Sequence, residues 1–241
     1  MSKTLIAMPV YDSVRPETLQ GLMANIQKDV SLGIEARSLI MDARNNLAVR
    51  ALEGGYDNIL WIDADMVIPK GAVAEIIKDA EDHDFVTGIC FKRKAPTEPV
   101  ILKELYWQRS GSGIISHGSQ VYRDYPKDDI FEIAGSGLGF CIMKTSIFEK
   151  VVQTFNESPF NQLPQMGEDY SLCWRLSQIG VKMYCDSRIK LGHVGSYVYE
   201  EADWLRQEGL MDTTDEYKKG YDVGRKDGMK KAIEILAESE V

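Results

Sequence analysis

Short, almost wholly apolar runs alternate along this chain with longer segments whose apolar residues recur every three or four positions. The runs Thr4 to Val10, Gly33 to Ile40 and Asn58 to Ile62 predict strands, and Pro16 to Lys28 and Asp42 to Glu53 predict the helices between them. Strands that are apolar on both faces belong in a parallel sheet covered by helices on each side. The βα alternation therefore predicts an α/β fold, a doubly wound, mostly parallel, Rossmann-like sheet. A helix from Gly71 to Ala80, with Val73, Ile76 and Ile77 at helical spacing, and a strand from Phe85 to Phe91 continue the pattern. From Lys92 to Asp129 the chain turns polar and rich in Gly, Ser, Tyr and Pro, with one candidate strand at Val100 to Tyr106 and a Gly-Ser-Gly turn at Gly111 to Gly113. Such a stretch reads as a hairpin with mobile loops appended to the sheet, where an insertion that closes over ligand is usually found.

Regular structure is expected again from Gly135-Ser136-Gly137-Leu138-Gly139, followed by a strand at Phe140 to Lys144 and a helix from Ser146, a plausible cap, to Phe155. The next helix begins near Glu168 and stops at Gly180, and Val181 to Cys185 is a short strand. The tail from Tyr199 is strongly charged, and Ala232, Ile233, Ile235 and Leu236 within Lys230 to Glu238 predict an amphipathic helix. It is read as a packing or oligomer-forming element rather than a catalytic one.

Composition narrows the classes. The 241 residues suffice for one large α/β domain or two small ones, and 44% hydrophobic with 27% charged residues is ordinary for a soluble globular protein. A net charge of −9 opposes any extended grip on a nucleic-acid backbone, although Lys92-Arg93-Lys94 forms a local basic patch. Cys90, Cys141, Cys173 and Cys185 stand far apart without Cys-x-x-Cys spacing, so buried thiols are expected rather than a zinc site or a disulfide framework. The start of the chain has no signal-like apolar stretch and no segment approaches a membrane span in length, which predicts a cytoplasmic protein.

The run Ile59-Leu60-Trp61-Ile62-Asp63-Ala64-Asp65 carries the chemistry, because four apolar residues lead straight into two carboxylates. Ligands of parallel sheets sit beyond the carboxyl ends of the strands, and side chains at i and i+2 leave a strand on the same face. Asp63 and Asp65 are thus expected to converge on one object, most simply a hard divalent cation carrying a phosphate. An Asp-x-Asp pair alone equally fits a solvated turn. Glu168 and Asp169 open a helix, where carboxylates are favoured by the dipole, and His193 follows a strand-like run beside Gly192. A neutral imidazole there suits Mn²⁺.

Taken in order, these pieces resemble the GT-A-fold glycosyltransferases, especially the family-two type that uses nucleotide sugars. The resemblance spans residues 4 to 195. Pro9-Val10-Tyr11-Asp12 is similar to the loop that holds the nucleotide base and ribose. Asp42-Ala43-Arg44-Asn45 resembles the Ala-Arg-Asn motif that faces the nucleotide, and Asp63-Ala64-Asp65 the metal motif. Gly135 to Gly139, with Lys144 and Phe148, looks like the acceptor-side loop and its helix. Gly167-Glu168-Asp169-Tyr170 with Trp174-Arg175-Leu176 resembles the Glu-Asp motif, and His193 the late histidine that joins the metal. Two departures are visible: Asp12 stands where Asn is common, and Gly-Ser-Gly-Leu-Gly is not a fixed family string.

The resemblance implies a GT-A-like catalytic domain over residues 1–198, with a nucleotide-sugar half at 1–91, an acceptor-side half at 92–198 and a charged helical tail at 199–241. It implies Mn²⁺ or Mg²⁺ held by Asp65 and His193, with Asp63 on ribose or on the ion through water. Pro9, Tyr11, Asp12, Arg44 and Asn45 would meet a nucleoside-diphosphate donor, UDP being commonest in the family. Asp169 would be the general base, a task worth roughly 10²–10⁴-fold, with Glu168 orienting acceptor or base. Trp61 and Trp174 are expected in the core, and Tyr106, Trp107 and Tyr122 against acceptor. Sugar and acceptor stay open, whether glycan, lipid, protein side chain or modified nucleobase, as does inversion against retention. Two other classes stand beside this one. Asp63-Ala64-Asp65-Met66-Val67 also fits a haloacid-dehalogenase-type phosphatase with Asp63 as nucleophile; against it, two strands precede the motif and no downstream Gly-Asp-x-x-x-Asp pair is evident. The other is a catalytically silent binding module recruiting a partner through the tail.

Overall fold

Every residue of Thr4–Val10 (β1) is buried, so its side chains pack against two layers at once. In the computed structural model, which describes residues 2–36, 39–109, 111, 113, 115–195 and 198–211, β1 stands near one end of a seven-stranded sheet. The chain continues through α1 (Pro16–Ala24), β2 (Val30–Ala36), α2 (Ile40–Glu53), β3 (Asn58–Ile62), β4 (Met66–Val67), α3 (Ala72–Asp79) and β5 (Phe85–Ile89). There follow β6 (Ile101–Arg109), β7 (Ile115–Val121), β8 (Ile130–Ile133), β9 (Gly135–Ser136), β10 (Phe140–Lys144), α4 (Ser146–Phe155) and α5 (Glu168–Gln178). The last described elements are β11 (Met183–Lys190), β12 (Gly192–Val194), β13 (Val198–Tyr199) and α6 (Glu201–Gln207).

The large sheet runs β2-β1-β3-β10-β5-β11-β8. β1 is parallel to β2 and β3, and β11 to β5, whereas β10 and β8 run antiparallel to their neighbours. The result is a mixed α/β fold on a mostly parallel central sheet. Two three-stranded sheets accompany it, β13-β12-β4 and β7-β6-β9.

Alternation along the central strands divides the core in two. Leu5, Ala7, Ile59 and Trp61 face one cluster with Leu47 and Ala51 of α2, Ile147 and Phe148 of α4, and Leu172 and Leu176 of α5. Ile6, Met8, Leu60 and Ile62 face the other, with Val73 and Ile76 of α3. Trp61 is fully buried, edge-on to Phe148 at 6.4 Å and to Phe160 at 5.1 Å. It anchors the strand that carries the acidic motif, and truncating so large a side chain costs about 3–5 kcal/mol.

Several expectations shift at their edges. α1 ends at Ala24, not Lys28, because the Asn25 amide donates to the Gly21 and Pro69 carbonyls while its oxygen accepts from Gly71 N. β2 covers Val30–Ala36 rather than 33–40, and Ile40 opens α2. As an edge strand, β2 leaves Leu32 and Ile34 exposed, so burial does not mark its limits. Thr145, not Ser146, occupies the N-cap position of α4, and its hydroxyl donates to the Tyr56 carbonyl instead of capping the helix. β7 falls in the Lys92 to Asp129 stretch, where the pattern predicts one strand at Val100 to Tyr106, β8 lies just after that stretch in a segment with no predicted element, and β11 extends to Lys190. The first part of the charged tail packs on the core: Trp204 of α6 is buried against Phe91 and Tyr125, and the Tyr125 hydroxyl donates to Glu201 at 2.6 Å. The amphipathic helix expected at 230–238 lies outside the described residues, as does Ser112 of the Gly-Ser-Gly turn. Among the described residues no helix is long and apolar enough to cross a membrane.

Candidate functional site

β3 delivers Asp63 at the middle of the large sheet, beyond the strand's carboxyl end. The acids do not continue the strand, however. Met66 N donates back to the Asp63 carbonyl at 3.3 Å, closing a turn, so the shared-face argument for i and i+2 fails. Their partners differ: Asp63 is bound by Arg44, and Asp65 by Arg93 and His193.

His193 reaches Asp65 because two short strands meet. β12 pairs antiparallel with β4, setting His193 opposite Met66, and Val194 N donates to the Asp65 carbonyl at 2.8 Å. The imidazole is held at both ends: Nδ1 lies 2.9 Å from the Phe91 carbonyl oxygen, and Nε2 lies 3.4 Å from Oδ1 of Asp65. A carbonyl only accepts, so Nδ1 carries a proton, and in neutral imidazole Nε2 then turns a lone pair onto a carboxylate. Two lone pairs face each other unless a proton or a metal ion lies between. Burial works to lower the His193 pKa, but the hydrogen bond and charge of Asp65 outweigh it and raise the value. Burial likewise pushes Asp65 up, and His193 followed by Arg93 more than compensates, leaving it low. An imidazole oriented by a backbone carbonyl beside a carboxylate is one arrangement that could take up a metal ion through a nitrogen and an oxygen.

Arg44 lies behind the turn. Only 2% exposed, it gives one nitrogen to Asp63 Oδ1 at 2.9 Å and another to Glu168 Oε1 at 3.3 Å, with its face toward the Trp61 ring at 5.4 Å. It therefore joins β3 to the first turn of α5. Burial lifts the Asp63 carboxyl above its ordinary range despite Arg44. Asp169 is pushed up to about 6, by burial first and by the neighbouring Glu168 second. Between the two acids runs the glycine-rich segment. Gly139 accepts from Asp63 N at 2.9 Å, and a Cβ there would come within 3.0 Å of Met66 Sδ. A Cβ on Gly137 would meet Val100 at 2.8 Å and stand 3.8 Å from Asp169 Oδ2. Lacking side chains, these residues let backbone pass between Asp63 and Asp169.

A cleft of about 380 Å³ opens over the turn, lined among others by Pro9, Tyr11, Asp12, Asp63, Asp65 and Arg93. The first five are residues the sequence singled out. Tyr11 is 84% exposed on its rim. Arg44 and Asn45 do not line it. Both ends of the Asn45 amide are spent on the 160–161 segment, accepting from Phe160 N and donating to the Asn161 side chain. Glu168 and Asp169 sit on the far side of the Arg44 bridge. Of the aromatic candidates, Trp107 packs edge-on to Trp174 at 6.0 Å and ties the β6–β7 hairpin to α5, while Tyr122 is turned against Phe131. Tyr106 remains half exposed.

Two features escaped sequence reading. The sequence marks Arg93 only as part of a local basic patch, and its guanidinium contacts Asp65. Glu75, Asp79 and Asp186 bring carboxylate oxygens within 4.8 Å of one another, and among the described residues theirs is the one group of three or more potential ligands this close; Asp63, Asp65 and His193 are not. Arg188 fills that cluster, 2.9 Å from Asp186, 3.3 Å from Asp79 and 3.7 Å from Glu75. Burial and a hydrogen bond with Asp186 push Asp79 up to about 7. No sequence signal brings together acids more than a hundred residues apart. The four cysteines are buried thiols, as expected.

No protein-family model and no curated protein matches the chain. Among solved structures it is similar to the crystal structure of A197 from STIV, at 19% identity over 80% of this chain and 86% of that one, with a TM-score of 0.54. A likeness at that identity speaks for the fold alone.

Proposed function

We propose that this chain is a metal-dependent glycosyltransferase of GT-A-like, doubly wound architecture, moving a sugar from a nucleoside-diphosphate donor to an acceptor hydroxyl. The observation that carries the reading is the Asp65–His193 pair, an imidazole locked by the Phe91 carbonyl with its free nitrogen turned onto a carboxylate at the mouth of a cleft. Support comes from the order of the motifs, from Asp63 beside the pair, and from a second carboxyl, Asp169, with a raised pKa.

A manganese or magnesium ion held by Asp65 and His193 would supply Lewis-acid neutralisation of the charge growing on the departing diphosphate. The chain's own residues do the rest. Tyr11 and Asp12 offer the rim of the cleft to a nucleoside, UDP first among candidates. Arg44 keeps Asp63 in register with α5 by giving one nitrogen to Asp63 and another to Glu168. Asp169 accepts the proton of the attacking hydroxyl as its oxygen bonds to the anomeric carbon and the carbon–oxygen bond to the diphosphate breaks. A pKa near 6 leaves that carboxylate ionised at neutral pH yet more basic than an ordinary aspartate. Glu168, held by Arg44, orients the acceptor side.

The phosphatase alternative asks Asp63 to attack phosphorus, but its Oδ1 is engaged by Arg44 at 2.9 Å. Thermal shift separates the readings. The glycosyltransferase gains stability only with Mn²⁺ and a nucleoside diphosphate or its sugar together. Stabilisation by Mg²⁺ with beryllofluoride, and hydrolysis of a generic phosphomonoester, would favour the phosphatase, and no response to either would favour a silent module.

A further inference from the structure

Two charged side chains of the cleft, Arg15 and Arg93, are used by neither the motif order nor the proposed chemistry, and Arg93 is the one whose ion pair with the acidic motif the structure shows. Its backbone is fixed from two directions. A Cβ on Gly195 would meet the Arg93 carbonyl oxygen at 3.0 Å and its Cβ at 3.1 Å, so the 193–195 turn packs directly on it. The loop around it is closed by a Lys92–Glu98 ion pair, by Lys92 N donating to the Glu98 carbonyl and by the Thr97 hydroxyl donating to the Lys92 carbonyl at 2.7 Å. α6 clamps the same loop through Gln207, whose amide both accepts from Thr97 N at 2.9 Å and donates to the Thr97 carbonyl at 3.0 Å. From this rigid base a long side chain, 60% exposed, crosses to Asp65 Oδ2, the carboxylate whose other oxygen faces His193.

The geometry points to Arg93 as an exchangeable cation: it neutralises Asp65 in the metal-free protein, is displaced when a divalent ion takes that carboxylate, and then turns onto the diphosphate of the donor. This rests on the glycosyltransferase reading of the same cleft. The chemistry follows from the residue type. A guanidinium is always charged and pairs equally well with carboxylate and phosphate, so one fork can serve both in turn. Exposure makes the exchange cheap, because a solvated ion pair contributes little and breaks readily. Arg93 also lines the cleft in which the phosphates would lie. The result is a site that does not present a bare carboxylate to solvent before the metal arrives.

The test measures Mn²⁺ binding by calorimetry and by the loss of the free-ion electron paramagnetic resonance signal, in wild type, Arg93→Ala and Arg93→Lys, without nucleotide and then with UDP. Since Arg93 is exposed, neither variant threatens the fold. With the competitor removed, Arg93→Ala is expected to bind Mn²⁺ alone about fivefold more tightly, the weight of an exposed ion pair. With Mn²⁺ saturating, the same variant is expected to bind UDP about tenfold more weakly, the loss of one charge-assisted contact. Arg93→Lys retains the competition but not the fork, and falls between. Unchanged or weaker Mn²⁺ binding by Arg93→Ala, in a wild type that does bind Mn²⁺, overturns the exchange and leaves the glycosyltransferase reading standing. Unchanged UDP binding overturns the second half of the cycle. If neither wild type nor variant binds Mn²⁺, the metal site itself is wrong and both inferences fall.

Discussion

Nε2 of His193 stands 3.4 Å from Oδ1 of Asp65, although 127 residues of chain separate them, because the β4–β12 ladder puts His193 opposite the residue that follows Asp65. The contact thus depends on backbone pairing rather than on chance proximity of two flexible side chains. Asp65→Ala should abolish the joint stabilisation by Mn²⁺ and UDP, which in wild type reaches about 2.7 kcal/mol at a hundredfold excess over Kd. Thermal shift with each ligand singly and together checks this, and a surviving joint shift would remove Asp65 from the metal site.

The same pair should make the stability of the protein pH-dependent. His193 has a folded pKa raised above its ordinary value of 6.5, so its proton stabilises the fold fully below that value and the contribution disappears as pH rises through the folded one. Wild-type urea midpoints should therefore fall more steeply as pH rises above 6.5 than those of His193→Ala. Mn²⁺ affinity should move the opposite way, rising with pH as the imidazole is freed. Parallel slopes in the two proteins would assign the pH dependence to other groups.

In the proposed transfer Asp169 would tie activity to a stability cost. Its pKa is raised from 3.8 to about 6, so the folded state disfavours the carboxylate, and the cost is complete above pH 6 and absent below about 4. Asp169→Asn removes it. At pH 7.5 the variant should be more stable than wild type by on the order of 3 kcal/mol, an advantage that vanishes near pH 4. Sugar transfer should stop while Mn²⁺-dependent nucleotide binding persists. Normal turnover in Asp169→Asn would strip this residue of its role as base.

Arg44 carries two carboxylates from inside the protein. Removing one partner of a buried ion pair leaves uncompensated charge, so Arg44→Ala should lose about 3–5 kcal/mol in urea unfolding. Arg44→Lys keeps the charge but cannot span Asp63 and Glu168 with a fork, and should recover only part of the loss. If Arg44→Ala unfolds like wild type, the bridge contributes nothing to the link between β3 and α5.

Asn25 joins α1 to α3 through four hydrogen bonds made by one amide, two donated and two accepted. Asn25→Ala leaves buried backbone groups unpaired and should cost about 2 kcal/mol, whereas Asn25→Asp, which keeps only the accepting oxygen, should cost less. Equal losses would mean the donated bonds carry the contact.

How much of this was legible in the chain differs between elements and sites for a physical reason. β1, β3, β10, α4 and α5 were read closely because local patterning decides them: strands buried on both faces are apolar throughout, and Gly180, at a φ of +76°, ends α5 where a left-handed residue is required. The acidic tip of β3, the Glu168–Asp169 helix start and His193 were visible as residue types in an order. Their geometry was not. Asp63 and Asp65 leave the strand as a turn and take different partners, Asn45 is consumed by the 160–161 segment, and Arg44 is a buried bridge rather than an open fork. Arg93 over Asp65, and Arg188 among Glu75, Asp79 and Asp186, depend on pairings between distant segments that no local periodicity encodes. Sequence alone determined the alternating α/β architecture and the order in which acids, glycines and a late histidine follow its elements, because burial and backbone preference act over a few residues. Only the tertiary structure decided which charges meet, since that depends on strand register and loop closure across the whole chain.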